Sequence, residues 1–342
     1  MRLVRWLLRT TLNLIRFPYA WLRFARSGRT DPWAHQALIQ LFCATGGRFN
    51  DLLSSGISLC SKRLAIARPV GVLGDLGGDA VRRSANELRA RGFAVFPRAL
   101  PDDMCDRLMQ FTRDTPALVR RMDHEVAGAA ARVALFDPEH PLAVRYDYPT
   151  EALLGNPDVQ ALLSDASLLA LAQEYLGSRP RADVLSMWWH TGFHTQPDSE
   201  AAQFYHFDMD RIKWLKIFVY LTDVGPEDGP HSFIEGSHRS GGIPASMLRR
   251  GYVRLSDEEV LGHYGAARQI EFSAPRGTVI VEDTRGLHKG KAVRGRSRLV
   301  LQLQFSNSLF GAQYAKATMR EVRNPSLAQV MAQAPDVYAG YR

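Results

Sequence analysis

The chain has 342 residues, of which 46% are hydrophobic and 23% are charged. These values are ordinary for a globular protein with one large domain or two. The formal net charge of +8 is concentrated in residues 1–30, which contain seven arginines and no acidic residue. The remaining charge is nearly balanced and carries no recognition motif, which argues against nucleic acid as a partner. Three scattered cysteines exclude a disulfide framework or a C-x-x-C zinc site and fit a reducing cytoplasm.

Residues 1–30 form a basic, aromatic segment in which arginines recur every seven residues from Arg2 to Arg23. These arginines leave no apolar run of about 18 residues, so a membrane-spanning helix is not expected. The short apolar runs also lack a signal-peptide core and cleavage site. Two interpretations remain open. Residues 1–26 form an amphipathic helix on an anionic membrane surface, or they pack on their own protein or on a second copy. Pro18 is expected to end or kink a first helix.

Four regions follow from the pattern along the chain: the basic segment 1–30, a helical connector 31–78, a main domain 79–312 and a tail 313–342. Within the main domain, helices are predicted over residues 79–91 and from Pro101, with a strand over residues 92–96 between them. Residues 113–150 read as irregular. Residues 151–177 read as helical, with Gly177 as the helix stop.

Strand patterns dominate after residue 182. The predicted strands cover residues 183–190, 212–224, 278–281 and 298–305. An insertion over residues 239–270 is predicted to be partly helical. Many short strands with flanking helices indicate a mainly β (α+β) fold whose core is a double-stranded β-helix, a cupin-like jelly roll.

The strongest chemical signal is an H-x-D pair, His206 and Asp208, with a further histidine at His288. Residues two apart on a strand point to the same side, so the first imidazole and the carboxylate are expected to face one cavity. Two histidines and one carboxylate on one side of a metal are typical of non-haem Fe(II) oxygenases, because the opposite side stays open. We therefore predict His206, Asp208 and His288 as metal ligands.

A second signal is Arg298, ten residues after His288 and at the start of the alternating strand RLVLQLQF. A buried guanidinium needs an anion to offset its desolvation. A bidentate pair with the distal carboxylate of 2-oxoglutarate satisfies that need.

Taken in the order in which they occur along the chain, these motifs resemble those of the phytanoyl-CoA dioxygenase family of Fe(II)/2-oxoglutarate-dependent oxygenases. The resemblance covers roughly residues 85–312 and includes FVYLTDV, GPHSFIEGSHR and RGTVIVEDTRGLHKG. It implies a jelly-roll fold, Fe(II) bound by His206, Asp208 and His288, 2-oxoglutarate as co-substrate held by Arg298, and O2 as oxidant. Related halogenases lack the carboxylate. Asp208 therefore favours hydroxylation, or a related desaturation or epimerisation, over halogenation.

Further residues near these motifs are weaker candidates. Gln203 and Lys216 are candidates for contacts with the co-substrate. Asp283 either accepts a hydrogen bond from an iron-bound imidazole or is a turn residue without a role in the site. Three residues are candidates for the substrate pocket because they flank the aromatic strand or the metal pair: His190, His194 and Arg211.

The leading hypothesis is a cytoplasmic dioxygenase that hydroxylates a small or lipid-like metabolite and releases succinate and CO2. Two alternatives stay open at this point. One is a catalytically silent jelly-roll binding or scaffold protein at the membrane surface. The other is a metal-dependent cupin-type enzyme that does not use 2-oxoglutarate, for which Arg298 would be dispensable. The identity of the substrate does not follow from the family, because a shared fold fixes the reaction type better than the pocket.

Overall fold

The structure is a computed structural model that describes residues 2–120, 132–193 and 202–341. Its helices are α1 (Arg2–Ser27), α2 (Pro32–Thr45), α3 (Arg48–Cys60), α4 (Ala80–Arg91), α5 (Asp102–Asp114), α6 (Thr150–Leu154), α7 (Pro157–Leu163), α8 (Ala166–Leu176), α9 (Ala245–Leu248), α10 (Asp257–Tyr264) and α11 (Pro325–Gln333). Short 3-10 turns cover Ala266–Arg268 and Pro335–Tyr338. The strands are β1 (Val70–Gly71), β2 (Gly74–Asp75), β3 (Phe93–Phe96), β4 (Ala117–Val119), β5 (Arg132–Ala134), β6 (Arg145–Asp147), β7 (Arg181–His190), β8 (Trp214–Tyr220), β9 (His231–Ile234), β10 (Gln269–Glu271), β11 (Val279–Glu282), β12 (His288–Gly290) and β13 (Arg298–Ser306).

Two antiparallel sheets form the jelly roll predicted from the sequence. The large sheet has eight strands in the order β3-β11-β8-β13-β7-β6-β4-β5, and the small sheet has the order β10-β9-β12. The strand β13 is central because it pairs with β7 on one side and with β8 on the other. The fold is therefore a β jelly-roll core with flanking helices, as expected.

Alternation along the strands separates an inner core from an outer one. Val300 of β13 packs with Trp188, Phe218 and Phe233 in a cluster that includes residues of both sheets. Its neighbours Leu299 and Leu301 belong to the larger core that includes residues of α4, α5, α7 and α8. Polar residues on the inner face of β13 therefore point into the space between the sheets.

The helices α1 and α2 pack against the segment that carries the H-x-D pair. Phe17 of α1 and Leu38 of α2 are buried in one cluster with Tyr205 and Phe207, which flank His206. Within α3, buried Asn50 donates a hydrogen bond of 3.0 Å to the carbonyl of Ile212. The first 60 residues are thus part of the scaffold that supports the candidate site.

Two local predictions differ from the structure. The helix α1 does not end at Pro18 but continues to Ser27, since burial of Phe17 and Ala20 on either side of the proline offsets the cost of its missing N–H. The region 113–150 is not wholly irregular, because β4, β5 and β6 extend the large sheet beyond β7. These strands have three residues each, too few for a visible sequence period. Within the described part of the chain, no helix combines the length and apolarity needed to cross a bilayer.

Candidate metal centre and co-substrate site

His206 and His288 are 82 positions apart in the sequence but form a direct backbone pair. The His206 N–H donates to the His288 carbonyl at 3.0 Å, and the reverse bond is 2.9 Å. Their ring centroids lie 4.3 Å apart. The small sheet thus fixes the second imidazole relative to the first without relying on side-chain contacts.

Asp208 completes the group predicted from the sequence. Its Oδ1 lies 3.8 Å from Nε2 of His206, and its Oδ2 lies 3.4 Å from Nε2 of His288. One ligand atom from each residue falls within 4.8 Å of the others, and all three residues are buried. The Asp208 N–H donates to the Thr284 carbonyl at 2.8 Å, which holds this backbone in place. The arrangement fits one shared ion with two imidazole ligands and one carboxylate.

Both imidazoles are held in the tautomer that a metal requires. Nδ1 of His206 lies 2.9 Å from the Phe204 carbonyl, and Nδ1 of His288 lies 2.9 Å from the Gly286 carbonyl. A carbonyl oxygen only accepts, so each Nδ1 carries the proton. The Nε2 lone pairs then face Asp208 and are free to bind a cation.

The charges around this group favour an ionised Asp208 beside a neutral His206 and a more readily protonated His288. Burial holds the pKa of His206 well below its ordinary value. Burial opposes ionisation of Asp208, but Lys216 and His288 together hold its pKa well below the usual range. Burial also opposes protonation of His288, yet the Asp208 carboxylate raises the pKa of this histidine. A cation held by Nε2 of His288 and by Asp208 would supply the positive charge that this proton otherwise supplies.

Lys216 lies against the predicted ligand carboxylate. Its Nζ is 2.6 Å from Oδ2 of Asp208 and 3.3 Å from Oδ2 of Asp210. On β13 its register partner is Gln304, six residues from Arg298, or about 20 Å along the strand. Lys216 therefore balances the acidic side of the metal group, and its side chain reaches the metal group although its backbone is offset along the sheet from Arg298.

Arg298 is buried on the inner face of β13. Its Nη2 donates to Nδ1 of His190 at 2.8 Å, and its Nη1 donates to the Gly229 carbonyl. Among the described residues, its Nε has no hydrogen-bond partner, and no carboxylate lies within ion-pair distance of the guanidinium. A Cβ at Gly290, two residues after His288, would lie 3.4 Å from Nη2. The guanidinium thus lies about 7 Å along β12 from His288, and a dicarboxylate fits its unmet need for an anion.

The remaining predicted residues divide between this site and other parts of the fold. His190 joins Arg298, and burial, reinforced by the neighbouring guanidinium, holds its pKa well below the ordinary value. Gln203 is buried three residues before His206. His194 lies outside the described residues.

Asp283 and Arg211 have different partners from those predicted. Asp283 accepts hydrogen bonds from Arg285 at 2.7 Å and from the Tyr175 hydroxyl at 2.6 Å. Neither metal-side imidazole reaches Asp283, because both Nδ1 atoms are already bound by backbone carbonyls. Arg211 is buried against Asp183, to which its Nε donates. This ion pair accounts for the burial of Arg211, which also lines a cavity of about 360 Å3 together with Thr30 and Tyr314.

Three polar residues on the inner side of the barrel were not predicted from the sequence. His231 lies 5.5 Å from His288 between ring centroids, and its Nε2 is 2.9 Å from Oε2 of Glu282. Arg145 of β6 is the register partner of His190 and lies 4.4 Å over the Trp188 ring. Strand alternation places Glu282 on the same face as Ile280, so the inward position of Glu282 could have been predicted from the sequence. The positions of His231 and Arg145 depend on strand pairing, which cannot be predicted from this sequence alone.

The chain is similar to one known protein family and to several solved structures. The sequence model of the phytanoyl-CoA dioxygenase (PhyH) family matches residues 88–298. No curated protein matches the chain. One similar solved structure is the epimerase SnoN in complex with Fe3+, alpha ketoglutarate and nogalamycin RO, with 18% identity, a TM-score of 0.46, and coverage of 66% of this chain and 83% of that chain.

Two further structures show similar values. HygX from Streptomyces hygroscopicus with nickel and 2-oxoglutarate bound has 17% identity and a TM-score of 0.47, covering 68% of this chain and 89% of that chain. EctD from S. alaskensis with bound Fe has 18% identity and a TM-score of 0.46, covering 75% and 88%. The decisive finding is the family match, which spans more than half of the residues. This protein therefore belongs to the phytanoyl-CoA dioxygenase family of Fe(II)- and 2-oxoglutarate-dependent oxygenases.

Proposed function

We propose that the protein is an Fe(II)/2-oxoglutarate-dependent dioxygenase that hydroxylates a small or lipid-like metabolite with release of succinate and CO2. The observation that carries the proposal is the convergence of His206, Asp208 and His288 within 4.8 Å. Asp208 occupies a position that related halogenases leave without a carboxylate, so hydroxylation, or a related desaturation or epimerisation, is favoured over halogenation.

Each ligand has a defined role in this proposal. His206 and His288 bind Fe(II) through Nε2, because their Nδ1 protons are donated to the carbonyls of Phe204 and Gly286. Asp208 supplies the negative charge. Bound iron supplies the redox chemistry by which O2 and 2-oxoglutarate oxidise the substrate. Lys216 turns the carboxylate toward the imidazoles and neutralises the excess charge of Asp210.

Arg298 binds the distal carboxylate of 2-oxoglutarate in this proposal. Its hydrogen bonds to His190 and Gly229 fix the plane of the guanidinium, which lowers the entropic cost of a bidentate contact. His190 accepts through Nδ1, so it holds the arginine and adds no charge of its own. Gln203 is a further contact on the side of His206. Burial of these groups excludes water from the site.

Succinate release in a screen of metabolite and lipid extracts tests the reaction class. We expect succinate to form with the wild-type protein and to fall to background in His288→Ala. His263→Ala is the matched control, because His263 is exposed on α10. Equal succinate from wild type and His288→Ala, with both folded, would contradict the proposal. A wild-type protein that makes no succinate but binds vesicles would favour the scaffold alternative.

The same proposal extends to the membrane surface. One face of α1 packs on the protein through Phe17 and Ala20. The opposite face exposes a stripe at helical spacing: Leu8, Leu12, Ile15, Tyr19 and Leu22 are 43% to 71% exposed. Arg9, Arg16 and Arg23 border this stripe at seven-residue intervals. An apolar stripe beside a row of arginines fits the interface of an anionic bilayer, so we assign residues 1–26 to peripheral membrane contact.

Point substitutions test this contact better than deletion, since deletion would uncover the core around Phe17 and Phe310. The pair Leu8→Glu and Ile15→Glu changes two exposed positions and is expected to abolish sedimentation with anionic vesicles. Undiminished sedimentation of that variant would contradict the assignment.

A further inference from the structure

The segment between α9 and α10 lies beside the basic edge of α1. A cavity of about 350 Å3 is lined by Trp6 and Arg9 of α1, by residues of α2, and by the stretch from Leu248 to Gly251. Arg9, one of the arginines along α1, therefore lines the same cavity as Arg249 and Arg250. Both of these are exposed.

The other end of this segment pairs with the stretch of chain that carries the H-x-D pair. The Leu255 N–H donates to the Tyr205 carbonyl at 2.8 Å, and these two residues form a β-bridge. The Tyr252 ring packs edge-on against Phe207, 5.5 Å between centroids. Phe207 stands between His206 and Asp208 in the sequence. Six residues thus connect the edge of α1 with the metal group.

The segment is basic and largely free of acidic partners. Arg249 and Arg254 are exposed, and neither is ion-paired with a residue that the structure describes. Arg250 is paired with Glu259 at 2.5 Å. Of the acids that follow, Asp257 is paired with Lys289. Tyr252 is 49% exposed between the two unpaired arginines. An exposed tyrosine flanked by arginines matches the headgroup level of a bilayer.

We propose that α1 and the segment 249–254 form one surface that binds an anionic phospholipid bilayer and holds the metal group beside it. The apolar stripe of α1 inserts, while the arginines of α1 and of the segment contact lipid phosphates. This inference deepens the proposed function, on which it rests for the chemistry. The substrate class that it assigns is an amphiphile taken from the bilayer.

Sedimentation with vesicles of phosphatidylcholine, with and without phosphatidylglycerol, tests the surface. We expect binding only with phosphatidylglycerol present. Arg249→Gln/Arg254→Gln is expected to weaken it by about tenfold or more, since each arginine near an anionic surface contributes on the order of 1 kcal/mol. The matched control is Arg83→Gln/Arg113→Gln, which removes the same charge from two exposed arginines on α4 and α5. Equal weakening in both double variants, or no binding by wild type, would overturn the proposal.

A fluorescent label measures whether the segment itself reaches the bilayer. Tyr252→Cys is labelled with an environment-sensitive dye after Cys43→Ala and Cys60→Ser remove the more accessible thiols, because Cys105 is buried. We expect a blue shift on vesicles containing phosphatidylglycerol, and none for a label at Arg113→Cys. Vesicle binding without a shift at position 252 would show that α1 binds alone and would overturn the proposal.

Binding of 2-oxoglutarate to the iron-loaded protein without vesicles is a separate readout. The variants Arg249→Gln/Arg254→Gln and Leu8→Glu/Ile15→Glu should retain it, because no hydrogen bond or ion pair among the described residues joins these side chains to the metal group or to Arg298. Loss of vesicle binding with retained 2-oxoglutarate binding is the result expected of these variants. Failure of 2-oxoglutarate to bind wild type would instead count against the proposed function.

Discussion

Nη2 of Arg298 donates a hydrogen bond of 2.8 Å to Nδ1 of His190, across the register pair that joins β13 to β7. This bond orients a buried guanidinium that has no carboxylate partner among the described residues. The two residues are 108 positions apart, so the sheet and not local sequence brings them together. Arg298 is thereby fixed as an anion-binding group on the inner wall of the barrel.

Replacing Arg298 with Leu is expected to raise the KM for 2-oxoglutarate by roughly 10- to 100-fold, since hydrogen bonds to charged groups contribute about 1.5–3 kcal/mol. Arg296→Leu is the matched control, because its side chain is 72% exposed and is paired with Asp228. Steady-state succinate release at varied 2-oxoglutarate measures the effect. Undiminished activity of Arg298→Leu would support the cupin-type alternative that does not use 2-oxoglutarate.

Asp208→Asn is expected to lower Fe(II) affinity by more than about 100-fold, since even the outer partners of metal ligands cost 10- to 100-fold when removed. Asp283→Asn is the matched control, because Asp283 is equally buried but is bound by Arg285 and Tyr175. Anaerobic competition with a chelating dye gives both affinities. Equal loss of iron affinity in the two variants would contradict the assignment of Asp208, and not Asp283, as a metal ligand.

The pair of Asp283 and Arg285 is expected to stabilise the fold. Arg285→Leu leaves a buried carboxylate without its main partner and should lower the free energy of unfolding by about 3–5 kcal/mol. Urea unfolding measures this loss. Asp283→Leu/Arg285→Leu should lose less than Arg285→Leu alone, because it leaves no buried charge without a partner; Asp51, the other partner of Arg285, is half-exposed. A double variant less stable than Arg285→Leu would contradict this explanation.

The ion pair of Asp283 and Arg285 also predicts that the free energy of unfolding decreases at acidic pH. Burial alone would raise the pKa of Asp283, but Arg285 outweighs it and lowers this pKa to about 2. An unfolded aspartate titrates near 3.9, so the unfolded chain binds the proton more readily. The stabilisation is therefore complete above about pH 4 and is lost as the pH falls toward 2. In Asp283→Asn this part of the pH dependence should be absent from urea unfolding curves.

Glu282 is expected to cost stability in the metal-free protein at neutral pH. Burial raises its pKa to about 8, so between about pH 4.5 and 8 the folded state binds more protons than the unfolded state. Stability then falls as the pH rises. Relative to wild type, Glu282→Gln should gain more than about 1 kcal/mol between pH 5 and pH 7, because one pKa unit corresponds to about 1.4 kcal/mol. The exposed Glu258→Gln should show no such gain, and a flat difference for Glu282→Gln would contradict the prediction.

The sequence predicted those parts of the site that are marked by the order and spacing of their residues along the chain. His206 and Asp208 stand two apart on an extended segment, and His288 and Arg298 follow in the order typical of the family. The jelly roll followed from the same run of short strands. These features depend on the strand period and on the ligand chemistry of Fe(II), both of which can be read from a single chain.

The remaining features depend on tertiary contacts. Asp283 was expected at an imidazole, but Tyr175 and Arg285 bind it, and the carbonyls of Phe204 and Gly286 orient the rings instead. Lys216 was expected at the co-substrate, and its contact with Asp208 needs the register of β8 to be known. The continuation of α1 through Pro18 likewise depends on burial against the protein, which outweighs local propensity.

The most direct test of the account is an anaerobic titration of the metal-free protein with Fe(II) and then with 2-oxoglutarate, followed by visible absorption. We expect a weak charge-transfer band that saturates with 2-oxoglutarate in wild type. The band should be absent in His288→Ala and should need far more 2-oxoglutarate in Arg298→Leu. A folded, iron-loaded wild-type protein that gives no band and binds no 2-oxoglutarate at any concentration would contradict the account.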